Sequence, residues 1–485
     1  MTTAEMTTTE TTDRTAVVAG AGIAGLAGAL ALHGIGYRVL VLERGAEPPA
    51  GPVEVAAASW VRPAVPQGIH SHTLTSLGVK VLRERAPHVL DAALAAGARL
   101  LDLTEALPPG EGGREPGDEE LVALGCRRTA LELVLYRAVV ALPGVEVRHG
   151  PAVGALELDP GDGRVRAVRT DGGERIAADV VIDATGRHAA ARSWLRGAGV
   201  PVAEDRVGPS GLSGFTRFYR LTGEGRPGPL NRGNAAGDIF DHYAGVLHPG
   251  DNNTFSIALA TLPGDRALHG LLTPAGFTAA ARATPGLAAW LADGASEPIS
   301  PVHAITSPPN TLRGTATSRQ RPVPGLFPLG DAACVTNPLF GRGMSLALAH
   351  AFRLADLLAA HPTVDAALSR AAAREAESLF LPWYEQSAAA DRERIARWRA
   401  RIQGASAPAA RPSASAALAS AARTDGTVWR GLTRMLMGLT TPEELLGDEK
   451  LHARVRGAAP APARPQAPAR DTLVRLVGAA EGALG

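Results

Sequence analysis

The run Val17-Val18-Ala19-Gly20-Ala21-Gly22-Ile23-Ala24-Gly25 joins an apolar strand to a helix through three glycines. Their spacing permits a tight turn, close backbone approach to a pyrophosphate, and packing of the helix on a sheet. Amides at the helix N-terminus then present their positive pole to the phosphates. The helix ends at Gly34 and leads into a second apolar strand, Val39-Leu40-Val41-Leu42-Glu43. Gly20, Gly22, Ile23, Ala24 and Gly25 thus form a dinucleotide-binding turn. Glu43, with Arg44 beside it, stands where a carboxylate accepts hydrogen bonds from ribose hydroxyls. The motif does not say which dinucleotide.

Length and composition set the frame around this turn. The 485 residues correspond to two or three domains at about 150 residues each. Hydrophobic residues at 45% and charged residues at 20% exclude a wholly disordered chain. A net charge of +1 removes the electrostatic case for a dedicated nucleic-acid binder. Cys126 and Cys334 lie far apart, outside metal-ligand or CxxC spacing, so neither a disulfide scaffold nor a structural zinc site is expected. The Thr-rich leader, 1–14, lacks the apolar core of a signal peptide and is expected to be disordered. No uninterrupted apolar run reaches the roughly 18 residues that span a bilayer. A cytoplasmic protein without a membrane span is the expectation.

Beyond the first βαβ unit, Gly51–Gly78 is broken by Pro52, Pro63 and Pro66 and reads as irregular. Helices are expected from Thr73 to about Leu101 and from Thr129 to Ala141. Short β-branched runs then follow at Val145–Val147, Ala152–Leu158, Val165–Arg169 and Val180–Ile182, with further strands at Phe215–Leu221 and Thr254–Thr261. This region is expected to form a sheet inserted into the first domain. Arg321–Asp331 brings another strand, Gly343–Ala360 an apolar helix and Leu381–Gln403 an amphipathic one. Ser406–Ala422 and Ala458–Arg470 read as Ala/Pro linkers around a helical piece at Val428–Leu446, with a last helix near Asp471–Ala480.

Two later segments add to the first. Asp179-Val180-Val181-Ile182-Asp183-Ala184-Thr185-Gly186-Arg187 is a buried strand with a turn. Gly325-Leu326-Phe327-Pro328-Leu329-Gly330-Asp331 is another, followed by Asn337-Pro338-Leu339-Phe340-Gly341-Arg342-Gly343-Met344 and the apolar helix. In this order the three motifs resemble the class A flavoprotein monooxygenases (aromatic hydroxylase-like) and the related epoxidases, halogenases and geranylgeranyl reductases. The resemblance covers about residues 15–400. It implies an α/β fold: a Rossmann-like FAD-binding domain (15–190 and 300–375), an inserted β-sheet substrate domain (191–299) and a helical C-terminal extension with Ala/Pro linkers (376–485).

The same resemblance places Gly330-Asp331 at the ribityl chain of FAD, with Asp331 making the contact. It sets Pro338, Gly341, Gly343 and Met344 against the isoalloxazine. Glycines at 341 and 343 would let backbone approach a flat ring, and a helix N-terminus stabilises the negative charge of reduced flavin. Arg128, ahead of Leu131-Glu132, falls where similar proteins carry an Arg on the cofactor. His70 and His72 are expected in a loop near the flavin with one His hydrogen-bonded, or in a plain helix-capping loop. No third ligand at a sensible spacing supports a metal.

What the resemblance implies chemically is a monooxygenase. NADPH or NADH reduces FAD, dioxygen adds at C4a, and the resulting (hydro)peroxide hydroxylates or epoxidises a small hydrophobic or aromatic substrate, as in specialised metabolism. Pro338 and Leu339 would form the floor of that chamber. Thr185-Gly186, expected at the cofactor, departs from the usual Asp-Gly of the class A enzymes. That puts direct reduction by NAD(P)H in question and raises a separate flavin reductase as electron source. A reductase of an isoprenoid-like alkene is the first alternative, and a protein using FAD without redox chemistry another. A halogenase is disfavoured because Trp60-Val61-Arg62-Pro63 is not the Trp-x-Trp-x-Ile-Pro block, and Lys80 reads as a surface residue of an amphipathic helix. Alternation along Phe215–Leu221 puts Phe215, Arg217 and Tyr219 on one face, making Arg217 and Tyr219 candidate substrate contacts.

Overall fold

The computed structural model describes residues 14–404, 414–463 and 465–482. Apart from Arg14, the expected disordered leader lies outside these residues.

Thr15–Ala19, Arg38–Glu43, Val145–His149, Val180–Asp183 and Leu326–Pro328 form one parallel sheet. Counted along the chain, their spatial order is 5-4-1-2-3, which puts the glycine-turn strand in the middle. Val17, Val18, Val181 and Ile182 are at most 1% exposed, as a sheet covered on both faces requires. Helix α1 (Ile23–Gly34) packs tightly on this sheet: a Cβ at Gly28 would come within 2.9 Å of Leu329 Cδ2. Helix α2 (Arg128–Val140) lies beside α1 in the same core.

A second, antiparallel sheet runs in the order Ala236–Ile239, Ala244–Pro249, Thr254–Thr261, Ser213–Leu221; Ser296–Pro298 and His303–Thr306 both pair with the last of these. Its alternation sends Phe255, Ile257 and Leu259 to a face covered by helix α3 (Pro274–Ala283), whose Phe277 is fully buried. Helix α4 (Gly343–Ala360) is long and apolar enough to cross a membrane, but 67% of it is buried inside the molecule, so it is a core helix. Helix α5 (Ala366–Ile402) runs from the first core to the second sheet, and helix α6 (Arg470–Gly482) packs on α3. Arg470 clamps α6 down with a two-pronged ion pair to Asp265.

Several local expectations are corrected. The helix expected over Thr73–Leu101 is two, Ser76–Arg85 and Pro87–Ala95, separated where Pro87 removes an amide, and Arg99–Asp102 is a strand. The stretch Gly51–Gly78 holds a helix, Val53–Ser59, starting just after Pro52. Val145–His149 joins the parallel sheet, while Val153–Leu158, Val165–Thr170 and Arg175–Ala177 make a separate three-stranded one. Helix α5 starts 15 residues before Leu381 and passes through Pro382, since Phe380, Trp383 and Tyr384 are buried around the proline. Ala414–Ala421, expected as linker, is helical; residues 406–413 of that linker lie outside the described part.

One ion pair joins the two sheets' surroundings. Arg127, at the start of α2, donates from its backbone amide, Nε and Nη2 to Asp251, which is fully buried in the loop before Thr254. Burial alone would raise the Asp251 pKa; the guanidinium's hydrogen bonds and charge overcome this and hold it below the usual carboxylate value. A depressed folded pKa means the stabilisation is present above the unfolded carboxylate's range and disappears as pH falls through the folded value, below about pH 4. Asp251→Ala is expected to cost about 3–5 kcal/mol at neutral pH by stranding Arg127. Urea titrations at pH 7 and pH 3 check this: the gap between wild type and variant must shrink in acid.

Candidate active site

Two helix N-termini converge at Gly330. This residue has φ +62°, and a Cβ on it would lie 2.7 Å from Ala24 Cβ in α1 and 3.2 Å from Ala347 Cβ in α4. The strand end Leu326–Pro328 thus delivers Asp331 between the starts of α1 and α4. Gly343, the first residue of α4, is open, although everything from Met344 to Phe352 behind it is buried.

The glycines here are of two kinds. Gly20, at φ +106°, and Gly25 are required by the chain itself: added Cβ atoms would sit 2.6 Å from Ala184 O and 1.8 Å from Gly20 O. Gly22, Gly186, Gly341 and Gly343 instead border open space. A Cβ at Gly22 meets only Glu132 Oε1 at 3.5 Å, and one at Gly343 only Asp331 Oδ1 at 3.9 Å. At Gly341 the nearest atom would be Thr73 Cγ2 at 3.5 Å, and at Gly186 nothing lies within 4 Å. Internal packing does not call for glycine at 22 or 343, whereas a ligand lying on the backbone does.

Polar groups around this cradle are left open. Asp331 is half-buried and accepts no hydrogen bond from the described residues. Burial raises its pKa, opposed by the charges of Arg128, Arg187 and Arg313. The Thr73 hydroxyl, beside Gly341, is buried without a partner. A flat ring with a polar chain and a diphosphate, the shape of FAD, fits this donor and acceptor set.

Glu43 is more occupied than a ribose contact requires. It accepts from Ala21 N at 2.7 Å, Gly45 N at 2.8 Å and Arg62 Nη2 at 3.2 Å, bracing the glycine turn while keeping further lone pairs. Arg62 also pairs with buried Glu132 and stacks on Trp60 at 4.6 Å; Arg128 donates to the same Glu132 at 3.4 Å. Arg44 is exposed, and Ile23 and Met344 are buried behind the turns. The Thr185 hydroxyl is used internally, donating to Asp183 at 2.6 Å and accepting from Ala190 N, so Gly186 alone in that turn faces open space.

The loop 70–73 meets the second sheet. His70 Nδ1 and Thr216 Oγ1 are 3.0 Å apart, and Ser71 Oγ lies 2.8 Å from Ser256 Oγ. His72 Nδ1 lies 2.9 Å from His70 O, so Nδ1 carries the proton and Nε2 is an acceptor. Burial pulls the pKa of His70 down to about 4 and that of His72 to about 3; both are neutral at physiological pH. Thr216 and Ser256 therefore mark the face of the sheet turned towards the cradle. Strand register adds Gly214, Ala258 and Ala260 to it, and Leu339 packs against the apolar cluster that includes Ala244 and Ala260. Pro338 is exposed beside it.

Arg217 and Tyr219 are on the opposite face. Arg217 donates to Ser300 O at 3.2 Å and Thr278 Oγ1 at 3.3 Å, and Tyr219 stacks on Phe255 under α3. The expected substrate contacts are thus placed away from the cradle, because alternation groups residues by face without telling which face is covered.

Other residues were not legible as functional. Asn337 accepts from Leu339 N and donates to Asp391 Oδ1 at 2.7 Å; Asn310 donates to Asp391 Oδ2 at 2.7 Å, and Arg394 completes the set at 3.0 Å. An Asn before Pro338 was the one local sign of this anchor. Arg62 carried no sign.

The fold is shared with solved flavin-dependent monooxygenases and a flavin-dependent brominase. Among solved structures, the chain is similar to p-nitrophenol 4-monooxygenase PnpA from Pseudomonas putida DLL-E4 (TM-score 0.59, 18% identity, covering 90% of this chain and 100% of that one). It is similar to PqsL, a probable FAD-dependent monooxygenase from Pseudomonas aeruginosa (0.56, 17%, 81% and 98%), and to the flavin-dependent brominase Bmp2 (0.56, 15%, 92% and 98%). The chain belongs to the family of Protein Rv3254 of Mycobacterium tuberculosis (strain ATCC 25618 / H37Rv), being 32% identical over 364 residues, 68% of this chain and 70% of that protein. No family model matches it.

Proposed function

We propose that this protein is an FAD-dependent monooxygenase acting on a small hydrophobic or aromatic molecule. The observation that carries the reading is the convergence of two open helix N-termini on Asp331, lined by glycines that internal packing does not require. Bound there, FAD would supply two-electron redox chemistry and activation of dioxygen. The amides after Gly22 would hold the pyrophosphate, Asp331 the ribityl hydroxyls, and the start of α4 the pyrimidine edge of the ring. His70, Thr216, Ala258 and Leu339 would enclose the substrate and keep water out, and the small side chains at 214, 258 and 260 leave it room. NADPH or NADH, used directly or through a separate flavin reductase, would be the electron source, and the cytoplasm the site of action. Lys80 is tied to Glu120 at 2.6 Å on a half-exposed helix face, a surface role that speaks against halogenation.

FAD uptake tests the reading. The purified protein is expected to be yellow or to bind added FAD, and Asp331→Ala to lose at least tenfold in affinity, about 1.4 kcal/mol. Anaerobic mixing with NADPH or NADH then shows whether reduction is direct. A colourless protein that leaves added FAD free in solution would refute the proposal.

A further inference from the structure

We propose that the guanidinium of Arg342 is a fixed countercharge that makes flavin held in the cradle easier to reduce, an inference that rests on the FAD reading above. Arg342 stands between Gly341 and Gly343, the two glycines open to the cradle at the start of α4. It is 1% exposed, one of the largest fully buried side chains. Its guanidinium lies 4.8 Å from the ring of Phe340 and 4.5 Å from that of Trp383. Nη2 donates to Gln386 Oε1 at 2.6 Å and Ser387 Oγ at 3.2 Å, while Nε and Nη1 have no partner.

Other buried arginines here are neutralised: Arg127 by Asp251, Arg394 by Asp391, Arg430 by Asp118. No carboxylate among the described residues pairs with Arg342. Burial lowers its pKa to about 9, which still leaves it charged at neutral pH. An unpaired buried cation costs several kcal/mol, more than its aromatic sandwich and two neutral acceptors return. A negative charge formed nearby recovers that cost, and reduction of flavin produces one. At low protein dielectric, a charge carried by the residue between Gly341 and Gly343 is felt by a negative charge formed over those glycines. A purely structural arginine, held only by Phe340 and Trp383, would leave the flavin's electronics unchanged.

The test is the midpoint potential of bound FAD, measured anaerobically against a redox dye. Arg342→Gln keeps hydrogen bonding to Gln386 and Ser387 but removes the charge. It is expected to retain FAD and to shift the reduction equilibrium about tenfold towards the oxidised form, about 30 mV for two electrons. Arg342→Lys is expected to stay within about threefold of wild type. An Arg342→Gln protein that holds FAD at the wild-type potential overturns the proposal. Should that variant not fold, the wild type decides: its bound FAD is expected at a more positive potential than free FAD in the same cell, and a value at or below free FAD overturns it. A colourless wild type removes the FAD reading itself, and this inference with it.

Discussion

Gly25→Ala is expected to yield a protein that does not fold properly, while Gly22→Ala folds normally and fails to hold FAD. The two glycines belong to one turn but answer to different constraints. At Gly25 a methyl group would sit 1.8 Å from Gly20 O and 2.9 Å from Gly20 C, so backbone must move. That backbone is the turn that joins the central strand to α1, beside the first core. Overpacking there is expected to cost about 3 kcal/mol or more, a large share of the roughly 5–15 kcal/mol that holds a domain together. At Gly22, φ is −83° and the methyl meets only the Glu132 carboxylate at 3.5 Å. The fold should not register it, but the methyl occupies the surface that the pyrophosphate would lie on. Denaturant unfolding of both apoproteins, followed by FAD titration, checks the pair. Equal melting of Gly25→Ala and wild type, or undiminished FAD affinity in Gly22→Ala, would show the assignment of the two roles to be wrong.

The second large effect is expected at Asp391. This carboxylate, 1% exposed, accepts from Asn310, Asn337 and Arg394. Arg394 is otherwise committed to the carbonyls of Ser210 and Gly211. Asp391→Ala leaves a guanidinium buried without its anion and takes one acceptor from each of the Asn310 and Asn337 amides, which keep Pro209 O and Ser210 O, at an expected cost of about 3–5 kcal/mol. It also loosens Asn337, whose side chain caps the turn Pro338–Phe340, so FAD affinity should fall with stability. Asp391→Asn, which can still accept from one amide, is expected to lose about half as much. Urea titrations of the two variants, with FAD affinity measured on each, provide the check; a loss under 1 kcal/mol for the alanine variant would remove the network from the account.

Which parts of this were legible follows from how far apart the interacting residues lie. The strand-turn-helix at Val17–Gly25, the strand end at Asp183 and the helix Gly343–Ala360 are local patterns, and the structure places them as the periodicity and glycine spacing indicate, whereas the strand expected over Arg321–Asp331 is only Leu326–Pro328, with Asp331 in the 3-10 turn that follows. Prolines misled in both directions. Pro87 did break a helix, while Pro382 did not break α5, because the aromatic residues around it are buried on both sides and tertiary packing outweighs propensity. The sheet face that meets the cradle could not be read from Phe215–Leu221: it depends on α3 covering Arg217 and Tyr219, a contact between segments about 60 residues apart. Asp391 likewise acts on residues 54 and 81 positions away, and nothing local in Ala388-Ala389-Ala390-Asp391 indicates it.

Helix α5 is roughly 55 Å long at 1.5 Å per residue. Leu368 is rooted in the first core, Phe380 in the second and Trp398 beneath the antiparallel sheet, where its indole donates to Phe240 O at 2.8 Å. A single rod bolted at three places resists any jaw-like opening of the two halves, which would have to unwind it. Cutting the gene just before residue 366 would leave both fragments roofless, so neither half can be studied as a freestanding piece unless the rod travels with it.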